Sequence, residues 1–560
     1  MSKISIYQVL PRLFGNENTT NKQNGTIQEN GCGKFNSFTP KALNEIKSLG
    51  ITHIWYTGVI EHATQTDYSD FGIRKDHPGV VKGKAGSAYA IKDYYDVDPD
   101  LAENVENRMA EFEELVKRTH KAGMKVIIDF VPNHVARQYH SDAKPAGVVD
   151  LGENDHSEWA FSPLNNFYYL PNQPFNPQFD AQGYIEFPAK ATGNDQFTAS
   201  PTQNDWYETV KLNYGVNYVE GGQKQFDPIP DTWFKMRDIL LFWASKKVDS
   251  FRCDMAEMVP VEFWGWVISQ VKLQYPEIIF IAEVYNPAEY RNYICNGKFD
   301  YLYDKVGMYE MLRNITSRNF PVREITNSWQ SLGGIEDQML NFLENHDEQR
   351  VGSGFFSGNG MYAQPAMIVA ATLTKAPVMI YFGQELGEQG MESEGFSGMD
   401  GRTTIFDYWG LKTIQAWSNG GKFDGGKLTR DQKDLRAFYQ KLLNITLSEK
   451  AITDGLMYDL EFANFDSNKF NTHEQYAYFR KFEDELLLIV LNFDDKHLDT
   501  EVCFPYEAFQ YLELKEGQAY NVVNLLNDSA KFPLFTLSSK EPFVVHIPAW
   551  KGMILKLTKV

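Results

Sequence analysis

Eight short apolar runs recur along most of this 560-residue chain, at Ile4–Val9, Ile51–Tyr56, Lys125–Val131, Val248–Arg252, Ile278–Glu283, Phe299–Tyr303, Met339–Leu343 and Pro377–Phe382. A strand that is apolar at successive positions must be buried on both faces, as in a parallel sheet sheathed by helices. Helical patterns or long loops separate the runs. Between the second and third, Met109, Phe112, Leu115, Val116 and Thr119 form one stripe, and Gly123 ends it. Before the fourth, Asp231 is expected to cap a helix with Trp233, Met236, Leu240, Leu241 and Ala244 on its inner face. Eight strands with intervening helices predict an α/β fold, a closed (β/α)8 TIM barrel with its reactive groups on the loops at the carboxyl ends of the strands. An open doubly wound sheet is the rival, and no glycine-rich phosphate loop supports it.

Two segments break the repeat. Residues 134–225, after the third run, are rich in Asn, Pro, Gln, Gly and aromatics and too long for a strand-to-helix loop. They read as an inserted subdomain, which leaves the barrel as residues 1–133 and 226–445. Residues 446–560 change to the strand patterns Tyr476–Phe482, Leu486–Asn492, Phe543–Ile547 and Met553–Leu557, with Trp550-Lys551-Gly552 as a turn. That tail predicts a carboxyl-terminal antiparallel β-sandwich.

A net charge of −20 repels phosphate backbones and anionic lipid, so a neutral partner is expected, with neither nucleic acid nor membrane. No run of about 18 apolar residues occurs. The amino terminus enters a strand pattern directly, so a cytoplasmic monomer is expected, or an exported one with its leader removed. Cys32, Cys253, Cys295 and Cys503 have no metal-type spacing and read as free thiols.

The chemistry-bearing residues gather at the strand ends. Residues two apart on a strand share a face, so Arg252 and Asp254 should sit side by side after the fourth run. The third run leads into Asn133 and His134, the fifth ends at Glu283, and the seventh leads into Asn345-His346-Asp347. In a barrel these ends converge, so Asp254, Glu283 and Asp347 would face one cavity beside His134 and His346.

These stretches resemble the signatures of the α-amylase family of retaining glycoside hydrolases, over nearly the whole chain. Asp129-Phe-Val-Pro-Asn133-His134 is similar to the first signature, Phe251-Arg-Cys-Asp254 to the second, Ala282-Glu283-Val to the third and Asn345-His346-Asp347 to the fourth. The stretch around Tyr89 and Asp93 resembles the segment whose Tyr stacks under the cleaved sugar, and Tyr381-Phe-Gly383-Gln-Glu385 resembles the last-strand signature. The resemblance implies that Asp254 is the nucleophile, Glu283 the general acid/base and Asp347 a transition-state stabiliser. It also implies that Tyr89, His134 and His346 bind sugar and that Arg252 holds the nucleophile. Cleavage builds an oxocarbenium-like centre, which needs one ionised and one protonated carboxyl, about 5–5.5 Å apart for retention. Arg252 should therefore keep Asp254 anionic while Glu283 arrives protonated. The resemblance also implies a Ca2+ between barrel and insert, held by the Asn133 amide, the Met258 carbonyl and a carboxylate from residues 134–225.

The chain departs from the family pattern in three places. Glu257-Met258 stands where many members carry Lys-His, Gly15–Lys34 lacks a calcium-loop run, and Gly58 replaces a common Pro, with an expected effect on loop shape only. The function expected is hydrolysis of α-1,4 bonds in starch, glycogen or maltodextrin. The alternatives are a related α-glucosidase, branch-cleaving enzyme or glucanotransferase, and, from another class, a catalytically silent carbohydrate-binding protein. A His/Asp metal hydrolase is disfavoured, because no His pair has ligand spacing.

Overall fold

The computed structural model describes residues 3–396, 398–527 and 529–560. Each of the eight apolar runs supplies one strand: β1 Ser5–Val9, β2 His53–Tyr56, β3 Lys125–Phe130, β4 Ser250–Cys253, β5 Ile279–Ala282, β6 Tyr301–Tyr303, β7 Met339–Phe342 and β8 Val378–Tyr381. They pair in parallel in that order, and β8 closes on β1. Nearly every strand residue is buried, which is why the runs carry no polar alternation.

Helices sheathe the barrel. The stripe between β2 and β3 lies on the helix Arg108–Lys121, where Phe112, Leu115, Val116 and Thr119 are buried, and Gly123 follows in the left-handed conformation that ends it (φ +76°). The helix before β4 runs Asp231–Ser245 and corrects the expected cap: Pro230 is the N-cap. Asp231 is therefore the first helical residue. Its carboxylate accepts from Asn166 Nδ2 and pairs with Lys235 one turn on.

The insert is built from short paired strands joined by turns. His134–Ala136 pairs with Thr209–Lys211, Tyr169–Leu170 with Ala189–Lys190 and Val216–Asn217 with Gln223–Lys224. The first of these starts immediately beyond Asn133, so insert and barrel share one continuous piece of backbone.

The tail forms a six-stranded antiparallel sheet and a separate antiparallel pair, Leu498–Val502 with Phe543–Ile547. Both faces of the sheet are buried. Tyr478, Leu487, Ile489, Leu491 and Ile554 join the barrel's core, while Phe479, Leu486, Leu488, Val490 and Leu555 build a second core with Val502, Phe543 and Val545 of the pair. The turn before the last strand also differs from the sequence reading. The turn is Ala549-Trp550, with Trp550 at φ +55°, and Lys551 and Gly552 already belong to the strand Lys551–Lys559. Gly552 allows the sheet to approach the barrel closely, since a Cβ there would lie 2.6 Å from Ile368 Cδ1.

Arg480 fastens sheet to barrel. Its buried guanidinium donates to the carbonyls of Leu373, Ala451, Ile452 and Gly455 at 2.8–3.1 Å. Arg480→Met should strand those carbonyls and cost on the order of 3 kcal/mol. Arg480→Lys, with fewer donors, should recover only part of that loss. The urea unfolding midpoint measures both.

Candidate active site

The carboxyl ends of the strands surround a cavity of about 330 Å³ lined by Tyr89, His134, Trp206, Asp254, Glu283, Tyr285 and Asp347, among others. Thus all three expected carboxylates, together with Tyr89 and His134, reach one space. Two of them are placed by ladder bonds just past the strands. The Asp254 N–H donates to the Phe130 carbonyl at 2.9 Å, and the Glu283 N–H to the Cys253 carbonyl at 3.1 Å.

Arg252, 1% exposed, lies beneath them. Its Nη1 is 2.6 Å from Asp254 Oδ1 and its Nη2 is 2.7 Å from Glu283 Oε2, so one guanidinium carries both carboxyls. Nε donates to Tyr303 Oη at 3.1 Å, and Asp129, in register on β3, stands 3.6 Å away. The rings of Trp55, Tyr89 and Tyr303 surround the guanidinium with centroids at 5.2–5.5 Å. A desolvated cation gains about 2 kcal/mol from one such ring face.

Sharing the cation changes the expected electrostatics. Burial pushes the Asp254 carboxyl well above its ordinary range; Arg252 opposes this, and the neighbouring Glu283 adds to it. Arg252 thus favours the anionic Asp254 that was expected, while burial and the neighbouring Glu283 act against it.

Besides its ion pair with Arg252, Glu283 has two hydrogen-bond donors. Met255 N–H reaches Oε2 at 2.8 Å, and Met255 adopts a left-handed φ of +41°, a conformation costing a non-glycine residue on the order of 1 kcal/mol. Tyr285 Oη donates to Oε1. The loop bearing Tyr285 is fixed by Glu257, whose carboxylate accepts from the N–H groups of Tyr285 and Asn286 at 3.1 and 3.0 Å. The departure at Glu257 thus holds the loop after β5.

Across the cavity, His346 Nε2 lies 3.0 Å from Asp347 Oδ2 and 2.5 Å from Tyr89 Oη, while Gln8 Nε2 contacts its Nδ1 at 2.8 Å. Tyr89 stacks on this imidazole at 5.0 Å. Burial acts to raise the Asp347 carboxyl, but His346, with help from Arg252 and Arg402, outweighs it and leaves the group below its ordinary range. His134 is pushed down to about 3 by burial and by the ammonium groups of Lys211 and Lys82, so its imidazole stays neutral. Asn133 turns its Nδ2 to the Gly193 carbonyl (2.7 Å), and its Oδ1 accepts from Lys211 Nζ (2.5 Å).

Gly58 does more than shape a loop. At φ +74° its N–H points to Asp129 Oδ2 at 3.3 Å, beside the indole N–H of Trp55 at 3.0 Å. Proline has no such hydrogen and cannot reach that φ. Sequence reasoning missed Trp55, Tyr285 and Tyr303. The period-two argument that paired Arg252 with Asp254 applies equally to Glu283 and Tyr285.

Against known proteins, the description "Alpha amylase, catalytic domain" matches residues 8–444. Alpha-amylase 3 of Dictyoglomus thermophilum is 24% identical over 480 residues, 82% of this chain and 80% of that protein. Neopullulanase 2 of Thermoactinomyces vulgaris is 22% identical over 401 residues, 69% of this chain and 56% of that one. Among solved structures, an alpha-amylase from Geobacillus thermoleovorans complexed with acarbose superposes with a TM-score of 0.66 at 18% identity, covering 99% of this chain and 98% of that one. With the family match spanning the barrel and its insert, the chain belongs to the alpha-amylase family of glycoside hydrolases.

Proposed function

We propose that the protein cleaves α-1,4-glucosidic bonds of starch-type glucans by double displacement. The observation that carries this is the pair of carboxyls on one buried guanidinium at the ends of adjacent strands, facing a cavity. Glu283 gives its proton to the glycosidic oxygen as Asp254 attacks the anomeric carbon, so the leaving sugar departs as an alcohol and a glycosyl ester forms on Asp254. Water then enters. Glu283 takes a proton from it, the ester bond breaks and a sugar of unchanged α configuration leaves. Tyr89, stacked on His346, is the apolar floor for the sugar ring, while Asp347 and the neutral His134 receive its hydroxyls. Tyr285 and Met255 N–H orient the Glu283 carboxyl.

The relatives' names support an α-glucan substrate and leave a branch-cleaving or transferase activity as the second reading, favoured by the matches to a neopullulanase and to a cyclomaltodextrin glucanotransferase. No helix among the described residues is long and apolar enough to cross a membrane. The charge of −20 supports a neutral partner rather than nucleic acid or anionic lipid. Product chromatography on starch, pullulan and maltooligosaccharides separates the readings: linear maltooligosaccharides from starch support the first, and cleavage confined to the α-1,6 bonds of pullulan overturns it.

Asp254→Asn should abolish the covalent step, whereas Glu283→Gln should lose on the order of 10²–10⁴ in kcat. Only the Glu283 variant should recover with leaving groups that need no proton. Proton NMR of fresh product should show the α-anomer, and a β-anomer would falsify the assignment of Asp254.

The acid limb gives a further check. Asp254 must be ionised to attack, and burial raises its carboxyl, so kcat/KM should begin to fall, as pH is lowered, above the ordinary Asp value of about 3.9. A limb at or below that value would show instead that Arg252 outweighs burial at Asp254. Tyr89→Ala should raise KM and lower kcat while leaving the melting temperature near that of the native protein, and a large drop in melting temperature with turnover retained would reduce Tyr89 to a packing residue.

A further inference from the structure

The barrel and the insert meet at Asn133, and what lies there is a side-chain cation. His134 and Lys211 are opposite partners in the first strand pair of the insert. Lys211, its side chain 3% exposed, turns Nζ back toward the barrel rim. That nitrogen lies 2.5 Å from Asn133 Oδ1, 2.6 Å from Asp195 Oδ1 and 3.2 Å from the Met258 carbonyl oxygen. An ammonium has three protons and no acceptor, and three oxygens surround this one. One comes from the end of a barrel strand, one from the loop after Asp254 and one from the insert.

Two of these oxygens, from Asn133 and Met258, are those that the family resemblance implies for Ca2+, and Asp195 supplies an insert carboxylate. The residues present do not fit that ion. Calcium takes six to eight oxygens at 2.3–2.6 Å, whereas here three oxygens converge on an ammonium that fills the centre. A dication there would also meet the repulsion of a buried positive charge. Among the described residues no group of three or more His, Cys, Asp and Glu could hold a metal.

We infer that Lys211 takes the place of the divalent ion: its ammonium pins insert, barrel rim and nucleophile loop together, so that His134 and the loop after Asp254 keep their positions without metal. Lys211 is thus a positioning residue. Unlike a bound ion, a covalently tethered cation is neither diluted nor chelated.

Melting curves of the native chain after exhaustive chelation, with and without millimolar CaCl2, test this alongside Lys211→Ala and Asp195→Asn. The native melting temperature should be unmoved by either treatment. Lys211→Ala removes the cation and leaves its three oxygens, so it should melt several degrees lower, show a raised KM, and regain melting temperature saturably with CaCl2. Asp195→Asn keeps Lys211 and suits the left-handed φ of +60° at that position, so it should melt lower without responding to calcium. A native protein that loses stability on chelation and regains it with CaCl2 overturns the inference. So does a Lys211→Ala protein that is destabilised yet indifferent to calcium, which would make Lys211 ordinary packing. Should Lys211→Ala fail to fold, an unchanged melting temperature in Asp195→Asn would overturn it alone, and a lowered, calcium-indifferent one would support it.

Discussion

The site depends on the contact between the Arg252 guanidinium and the carboxyls of Asp254 and Glu283. Burying an ion is costly unless opposite charge and hydrogen-bond partners surround it, and the barrel interior supplies opposite charges, ring faces and acceptors. Trp55, Tyr89 and Tyr303 present ring faces, Tyr303 Oη and Asp254 accept hydrogens, and Glu283 adds opposite charge. Those rings come from β2, the loop after it and β6, so the barrel must be closed before the cation is surrounded. Site and fold are therefore coupled: the chain cannot seat Arg252 without assembling the walls of its cavity.

The shared cation also separates the roles of the two carboxyls. Glu283 accepts from Met255 N–H and Tyr285 Oη and is ion-paired to Arg252, while Asp254 accepts from Arg252 alone. The richer set of donors fixes the Glu283 carboxyl in direction, as the proposed role of proton donor requires, and leaves Asp254 with an oxygen free of protein donors, as the proposed role of nucleophile requires. The left-handed Met255 is the local strain that aims the N–H.

The barrel was legible because burial on both faces writes a continuous apolar run, and all eight runs became strands with ends shifted by no more than a few residues. The carboxylates were legible because each lies at or just after such a run. What the sequence hid was contact between distant segments. Nothing local marks Lys211 as the partner of Asn133, 78 residues earlier, or Trp55 as a wall of the Arg252 site. The expected cap at Asp231 failed for a different reason: Pro230 can begin the helix without an N–H, which moves the boundary back by one residue. Adjacency along a strand revealed Asp254 as one partner of Arg252 and hid the second, Glu283, which arrives from the end of β5.

Three buried cations in this acidic chain show how the partner set decides what a charge does. Arg480 is surrounded by carbonyl dipoles, so its contacts do not titrate and serve cohesion. Lys211 faces one carboxylate and two neutral oxygens, a charge-balanced cluster suited to holding two pieces of chain at a fixed distance. Arg252 faces Asp254, Glu283 and, farther off, Asp129, so negative charge exceeds positive around it. An excess of carboxylate in a buried cluster favours retaining a proton. A site that must hold one transferable proton between two carboxyls therefore needs a single cation beneath them, since a second would favour ionisation of both.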